Sequence, residues 1–329
     1  MASSTSSSGL PVGGLPRYRD LPIDDSKPAR SAWGVFGDDD QTGTVNLLTP
    51  ERVKLGAGLV RKGAVFSLNW SIEEPSPPIS GRGELRHTIL RSAVSTDDYY
   101  DGFYPQRSTQ LDSLAHMAHP EHGFYNGCTH EDITGRPGSR NGVDVWARRG
   151  IAGRFVLVDL AAHRERLGAE LPADESTVVT VDEVDEALAN QQVELAEGDV
   201  LLLRFGWMHW YEQASPEQRS ALASPPHRFA APGLSPQERT AEWLWDQGIA
   251  MVCADSPALE AHPVDFSNVE GCLHYRIIPL LGLAVGELFA LDDLAADCAA
   301  DGVYEGLFTS APINKVGGSG SPGNALAIK

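Results

Sequence analysis

Three short apolar runs constrain the fold of this chain most. Phe155 to Leu160, "DVLLLRFGW" and "IAMVCAD" are each only a few residues long and almost uninterrupted in apolar side chains. A strand with one wet face alternates polar and apolar residues, so runs of this kind read as strands buried on both faces. Two well-punctuated helices lie among them. In "TVDEVDEALANQ", Thr180 and Glu183 have capping-box spacing, and Val181, Val184 and Leu188 form one apolar stripe. In "LSPQERTAEWLWDQG", Ser235 reads as the cap, Pro236 as the first helical residue and Gly248 as the stop. Strands alternating with helices predict an α/β architecture around a buried sheet. Thr49 and Pro50 mark a further helix start, "GAVFSLNWSI" reads as a strand, and "LHYRIIPLLG" opens a helix. Glu74 to Gly83, rich in Pro and Ser, reads as loop.

The ends differ in composition from the middle. Residues 1–16 are Ser/Gly-rich and read as a flexible N-terminal arm rather than a signal peptide. Residues 17–315 read as a single compact domain, and 316–329 as a Gly/Ser/Pro-rich tail with an apolar tip. The formal net charge of -19, with no Lys/Arg run, disfavours nucleic acid and anionic membrane surfaces as partners. No apolar run approaches the roughly 18 residues that span a bilayer, so the expected location is cytoplasmic. Cys128, Cys253, Cys272 and Cys298 form no C-x-x-C pair, and Cys253, inside an apolar run, reads as a buried free thiol.

The span Tyr104 to Gly127 concentrates the chemistry. Gln106, Gln110, Asp112 and His116 are separated by four, two and four residues. Even gaps place all of them on one face of an extended chain, whereas a helix satisfies only the gaps of four. A bend from strand into helix near Leu111 satisfies both in part and gives Asp112 and His116 a shared helix face. The carboxylate then orients the imidazole, the arrangement an acid/base histidine needs. An Asp and a His four apart on a helix are also a common surface pair. His119 and His122, beside Pro120 and Gly123, read as a solvated turn, and His130, His163, His209 and His227 as surface residues. Asp255 ends an apolar strand, where ligand crevices of open sheets lie, and is a candidate substrate contact. Tyr125 and Trp33 are candidate pocket walls, although aromatics are more often core.

The stretch Gln106 to His116, Q-R-S-T-Q-L-D-S-L-A-H, resembles the signature H-x-G-T-H-x-D-x-P-x-H of the cyclase family that includes bacterial kynurenine formamidase and isatin hydrolase. Further blocks resemble that family in the same order: "WGVFGDDDQTGTVNLLTPERV", "FYNG", "RRGIAGRFVLVDL", "GDVLLLRFGW", "CADSPALEAHP", "LHYRIIPLLGLAVGELFALDDLA" and "TSAPINKVGGSGSPGNALAI". The resemblance implies a swivelling β/β/α fold in a homo-oligomer, a dimer or tetramer, acting on a small molecule. It also implies that Asp112 matches the metal-binding motif aspartate, His116 the acid/base histidine, and His274 and Glu287 the later histidine and glutamate that complete a second metal position in some members.

Two departures bear on the chemistry. Gln106 and Gln110 stand where the family has metal-binding histidines, and an amide oxygen is a poor ligand for zinc beside an imidazole. The expected cofactor is therefore either none or one divalent ion, Mn²⁺ or Zn²⁺, on a residual site of Asp112, His274 and Glu287. The glutamine amides are expected to donate N–H groups to a substrate oxyanion. The leading expectation is hydrolysis of an amide, lactam or lactone, with Asp112 orienting His116. The alternatives are a metal-independent cyclase, dehydratase or isomerase of a biosynthetic pathway, and a non-catalytic small-ligand binding protein.

Overall fold

A computed structural model describes residues 14–223 and 229–329. His227 lies outside the described residues. In chain order the strands are β1 (Val65–Ser67), β2 (Arg86–Arg91), β3 (Thr96–Asp101), β4 (Gln110–Asp112), β5 (Ile151–Asp159), β6 (Val178–Val179) and β7 (Val200–Arg204). They continue with β8 (Gly233–Leu234), β9 (Met251–Ala254), β10 (Ala284–Glu287), β11 (Glu305–Ser310), β12 (Gly320–Pro322) and β13 (Ala325–Ile328). Nine of them form one mixed sheet in the order β1-β13-β11-β5-β7-β9-β10-β4-β12, and β2-β3 and β6-β8 are separate pairs.

The apolar runs became the centre of that sheet. β5, β7, β9 and β10 pair in parallel, and every residue of β9 and all but Arg204 of β7 is buried. Burying one such Val or Leu contributes about 1.5–3 kcal/mol, which is why these strands tolerate no alternation. The helix Val181–Gln191 starts as its spacing dictates, with the Thr180 side chain accepting the Glu183 N–H at 3.3 Å. It packs its apolar stripe on β5 and on the helix Glu238–Asp246. The Thr49 side chain likewise caps Pro50–Gly58. The helix Glu238–Asp246 begins later than its Ser-Pro signal suggests: the Ser235 N–H is drawn to the Val179 carbonyl, which holds Ser235 beside β6 just past the end of β8, and Gln237 is the residue before the helix.

The tail reading of 316–329 does not hold. β13 lies between β1 and β11, and β12 closes the far edge beside β4. Ala325 and Ala327 are buried while Leu326 is exposed, an alternation that the small residues of "GNALAI" conceal from a hydropathy reading. A smaller cluster of Ile79, Trp207, Met208 and Tyr211 holds the loop before β2 against the domain. All four cysteines are free and buried.

Candidate active site

The site is assembled on β4 and β10. Their antiparallel register sets Glu287 opposite Gln110 and Val285 opposite Asp112, so Gln110, Asp112 and Glu287 share one face. Gly320 of β12 sits opposite Asp112 on the other side. A Cβ on Gly320 would stand 2.5 Å from Gln106 Nε2 and 2.9 Å from the Leu111 carbonyl oxygen, so the Gln106 amide occupies the space that a side chain at 320 would take. Gln110 and Asp112, two apart on β4, share this face as the strand period dictates, whereas Gln106 lies in the turn before β4 and approaches Gly320 with its side-chain amide.

The expected helix after Leu111 is absent. Ser113 to His116 is a turn, closed by the His116 N–H on the Ser113 carbonyl at 2.9 Å and by the Ala115 N–H on Ser113 Oγ at 3.2 Å. Ser113 also donates its N–H to the Ser319 carbonyl, so the C-terminal segment fixes the turn. The chain folds back so that His116 Nε2 lies 3.8 Å from Asp112 Oδ1. Asp112 is fully buried, and neither of its carboxylate oxygens has a hydrogen-bond partner among the described residues. Burial pushes its carboxyl above the usual range, the Glu287 charge adds to that, and His116 opposes it.

A second imidazole stands behind the first. His274 Nδ1 meets Glu260 Oε2 at 2.5 Å and its Nε2 meets Glu287 Oε1 at 3.2 Å. Burial disfavours charge on His274, but the two carboxylates outweigh it and hold its pKa well above the ordinary value. Glu260, buried as well, is held below its ordinary value because the His274 charge and hydrogen bonds override desolvation. Gln110 donates from Nε2 to Glu287 Oε2 at 2.5 Å.

A cavity of about 190 Å³ opens onto these groups. His116, His274, Glu287, Arg82, His262 and Ser80 supply its polar lining, and Met117, Pro257, Ala258, Val264 and Phe266 its apolar lining.

Several expected contacts lie elsewhere. Gln110 is buried with its amide N–H committed to Glu287, so it positions that carboxylate instead of reaching a substrate oxyanion. Gln106 reaches the Asp112 face but does not line the cavity. Asp255 accepts the backbone N–H groups of Phe205 and Gly206 at 2.7 and 2.8 Å, and so ties the end of β9 to the end of β7. Tyr125 is a core ring packed on Gly282 with its hydroxyl on Asp40, and Trp33 is a core ring whose Nε1 donates to the Pro279 carbonyl. His163 is buried beside Asn190 and His119 is buried and stacked on His122, so neither is the solvated residue its local sequence suggests. His130 and His209 are exposed, as expected.

Glu260 and Arg82 were not visible as site residues. Glu260 lies fourteen positions before its partner His274, a gap with no helical or strand meaning, and Arg82 sits in a Pro/Gly loop.

Asp112, His274 and Glu287 can each offer one ligand atom, all within 4.8 Å of one another. The orphaned oxygens of Asp112 and of Gln110 Oε1 are acceptors without a donor, the state expected of a pocket that takes a cation. One imidazole and two carboxylates suit Mn²⁺ or Zn²⁺, and Glu260 is placed as the carboxylate behind a ligating histidine. These residues fit a divalent ion.

Comparison with known proteins bears on the fold and the family. The family model "Putative cyclase" matches residues 67–261. A solved structure described as a novel cyclase is similar over 91% of this chain and 99% of that chain, at 31% identity and a TM-score of 0.79. Isatin hydrolase A from Labrenzia aggregata, bound to benzyl benzoate, shares the fold at 15% identity, covering 80% of this chain and 93% of that chain with a TM-score of 0.58. Isatin hydrolase A from Ralstonia solanacearum does so at 18% identity, covering 80% and 91%, with a TM-score of 0.57. A search of curated proteins finds no match. Among the described residues no helix is long and apolar enough to cross a membrane. With its signature span on β4, its swivelling β/β/α fold and a family match over more than half its length, the chain belongs to the cyclase family.

Proposed function

We propose that this protein is an enzyme acting at the carbonyl of a small molecule, and that the reaction is hydrolysis of an amide, lactam or lactone. The observation that carries this reading is His116, which lines the cavity 3.8 Å from the buried and otherwise unpartnered carboxylate of Asp112. That separation is longer than a hydrogen bond, and such contacts commonly tighten only when substrate excludes water. With substrate in place, Asp112 accepts the Nε2–H of His116 and orients the ring, and the ring's other nitrogen takes a proton from the attacking water and returns it to the leaving group. Glu260 and Gln110 hold His274 and Glu287 in place beneath the substrate. A divalent ion held by Asp112, His274 and Glu287 would polarise the carbonyl when bound.

A second reading keeps the same proton carrier and omits attack by water: cyclisation or dehydration within one substrate. Met117, Pro257, Ala258, Val264 and Phe266 on the cavity wall favour it, since apolar side chains offer no hydrogen bonds to hold a separate attacking water in place. Both readings require His116. Turnover of a panel of N-acyl arylamines, lactams and lactones by wild type and His116→Ala tests them. A loss of about 10²-fold or more is expected, and retention of activity within about 10-fold would remove His116 from the mechanism. Incorporation of ¹⁸O from labelled water into product separates hydrolysis from cyclisation.

A further inference from the structure

The cavity contains one cation with no assigned task. Arg82 lines it, yet its guanidinium makes no hydrogen bond or ion pair among the described residues. The side chain is not there by loop drift. Ile79 is buried against the Trp207 and Tyr211 cluster, and Ser80 and Gly81 both take positive φ, 57° and 71°, which turns the chain inward immediately before Arg82. The Arg82 N–H closes the turn on the Ile79 carbonyl at 3.2 Å. Buried Arg107 ties both ends of the loop by donating to the Glu73 carbonyl at 2.7 Å and the Gly83 carbonyl at 3.1 Å. Holding a non-glycine residue at positive φ costs free energy, and here the result is to aim a permanently charged fork into a small cavity.

The surroundings say what that fork can accept. Burial disfavours its charge, and Glu287 and Asp112 offset only part of this. Neither carboxylate comes within hydrogen-bond reach of it, since Glu287 is engaged by Gln110 and His274. Five unmatched donors in a partly desolvated site call for an acceptor from the ligand. A carboxylate is planar and matches the guanidinium in a bidentate pair. A dianionic phosphate fits poorly beside two resident carboxyls. Pro257, Val264 and Phe266 offer an apolar surface suited to a flat ring. The volume, about 190 Å³, is below the roughly 300–1,000 Å³ of drug-sized sites and suits a single ring with a small substituent.

We propose that Arg82 anchors the carboxylate of a small, flat, monoanionic substrate, presenting its reactive carbonyl to His116. This rests on the reading of the cavity as the active site and adds the substrate class and a specificity-determining residue.

Calorimetric titration of the full chain with benzoate and with benzamide, its neutral isostere, tests the anchor without requiring turnover. Benzoate should bind, with benzamide weaker by about 10-fold or more. Arg82→Met should weaken benzoate about 10- to 100-fold and leave benzamide within about 2-fold, and Arg82→Lys, which keeps the charge but not the fork, should fall between. Equal binding of the two probes, no benzoate binding up to about 10 mM, or an unchanged preference in Arg82→Met would overturn the proposal. If Arg82→Met does not fold, the wild-type preference and the Arg82→Lys ratio decide. An intact benzoate preference alongside full turnover by His116→Ala would sink the acid/base reading alone. An abolished His116→Ala turnover with no benzoate preference would sink the anchor alone.

Discussion

Glu260 Oε2 stands 2.5 Å from His274 Nδ1, across a gap of fourteen residues, and both groups are buried. This contact fixes the tautomer and orientation of the ring whose other nitrogen faces Glu287. Removing Glu260 takes away the nearer of the two buried carboxylates that offset the charge of His274 and leaves Glu287 at 3.2 Å. Glu260→Ala should therefore destabilise the protein by about 3–5 kcal/mol in urea titration, and Glu260→Gln by less, since the amide still accepts the imidazole N–H. Equal stability of Glu260→Ala and wild type would show that the pair contributes nothing.

Asp112 presents the opposite case, a buried carboxyl with no hydrogen-bond donor, raised in pKa by its burial. Neutralising it removes a desolvation cost together with the group that orients His116. Asp112→Asn should raise Tm by about 1–3 °C while lowering kcat about 10²-fold or more, a trade of activity for stability. Calorimetry and steady-state kinetics on the same preparation check both signs, and a fall in Tm would contradict this account of Asp112.

The donor set of Asp112, His274 and Glu287 makes metal binding measurable apart from catalysis. Added Mn²⁺ or Zn²⁺ should raise Tm in wild type and not in Glu287→Gln. Gln110 touches Glu287, and Gln106 reaches the Asp112 face beside Gly320, so imidazoles at both positions would point at the same place. Gln106→His with Gln110→His should tighten zinc about 10-fold or more in competition with a chromophoric chelator. No gain would show that the two side chains do not converge.

Asp255 gives a pH dependence unconnected with turnover. Burial pushes its pKa up to about 7, against the opposing pull of Arg204 and two backbone N–H groups. The folded state then holds a proton that the unfolded chain releases near pH 4, so this residue's contribution is full below about pH 4 and is lost as pH rises through 7. Unfolding free energy should fall across that window by a few kcal/mol at most, and Asp255→Asn should flatten the slope. Urea titrations at pH 5 and 8 measure it, and an unchanged slope in the variant would assign the effect to other groups.

The cysteines should be inert in the native state. All four are buried, and burial pushes the thiols of Cys272 and Cys298 up to about 11. Native protein should react with a thiol-specific reagent far more slowly than protein in denaturant, where four equivalents should titrate. Rapid native labelling of any one would place that cysteine at an opening.

Local pattern determined much of this protein. Continuous apolar runs announced the parallel strands because burial on both faces removes alternation, and Thr49 and Thr180 announced helix starts because their hydroxyls satisfy otherwise unpaired N–H groups. The spacing of Gln110 and Asp112 announced one face because the strand period is two, whereas Gln106 lies in the turn before β4, where that period does not apply. What only the tertiary structure decided is which distant groups meet that face. The turn that returns His116 depends on Ser319, the pair of His274 depends on Glu260, and Arg82 reaches the cavity through a loop held by Arg107 and Ile79. The C-terminal strands escaped notice for a related reason: small residues carry little hydropathy, and their burial comes from the neighbours they pair with. Contacts between residues far apart in the chain leave no periodic trace, since they are set by the packing of whole elements and by the loops that join them.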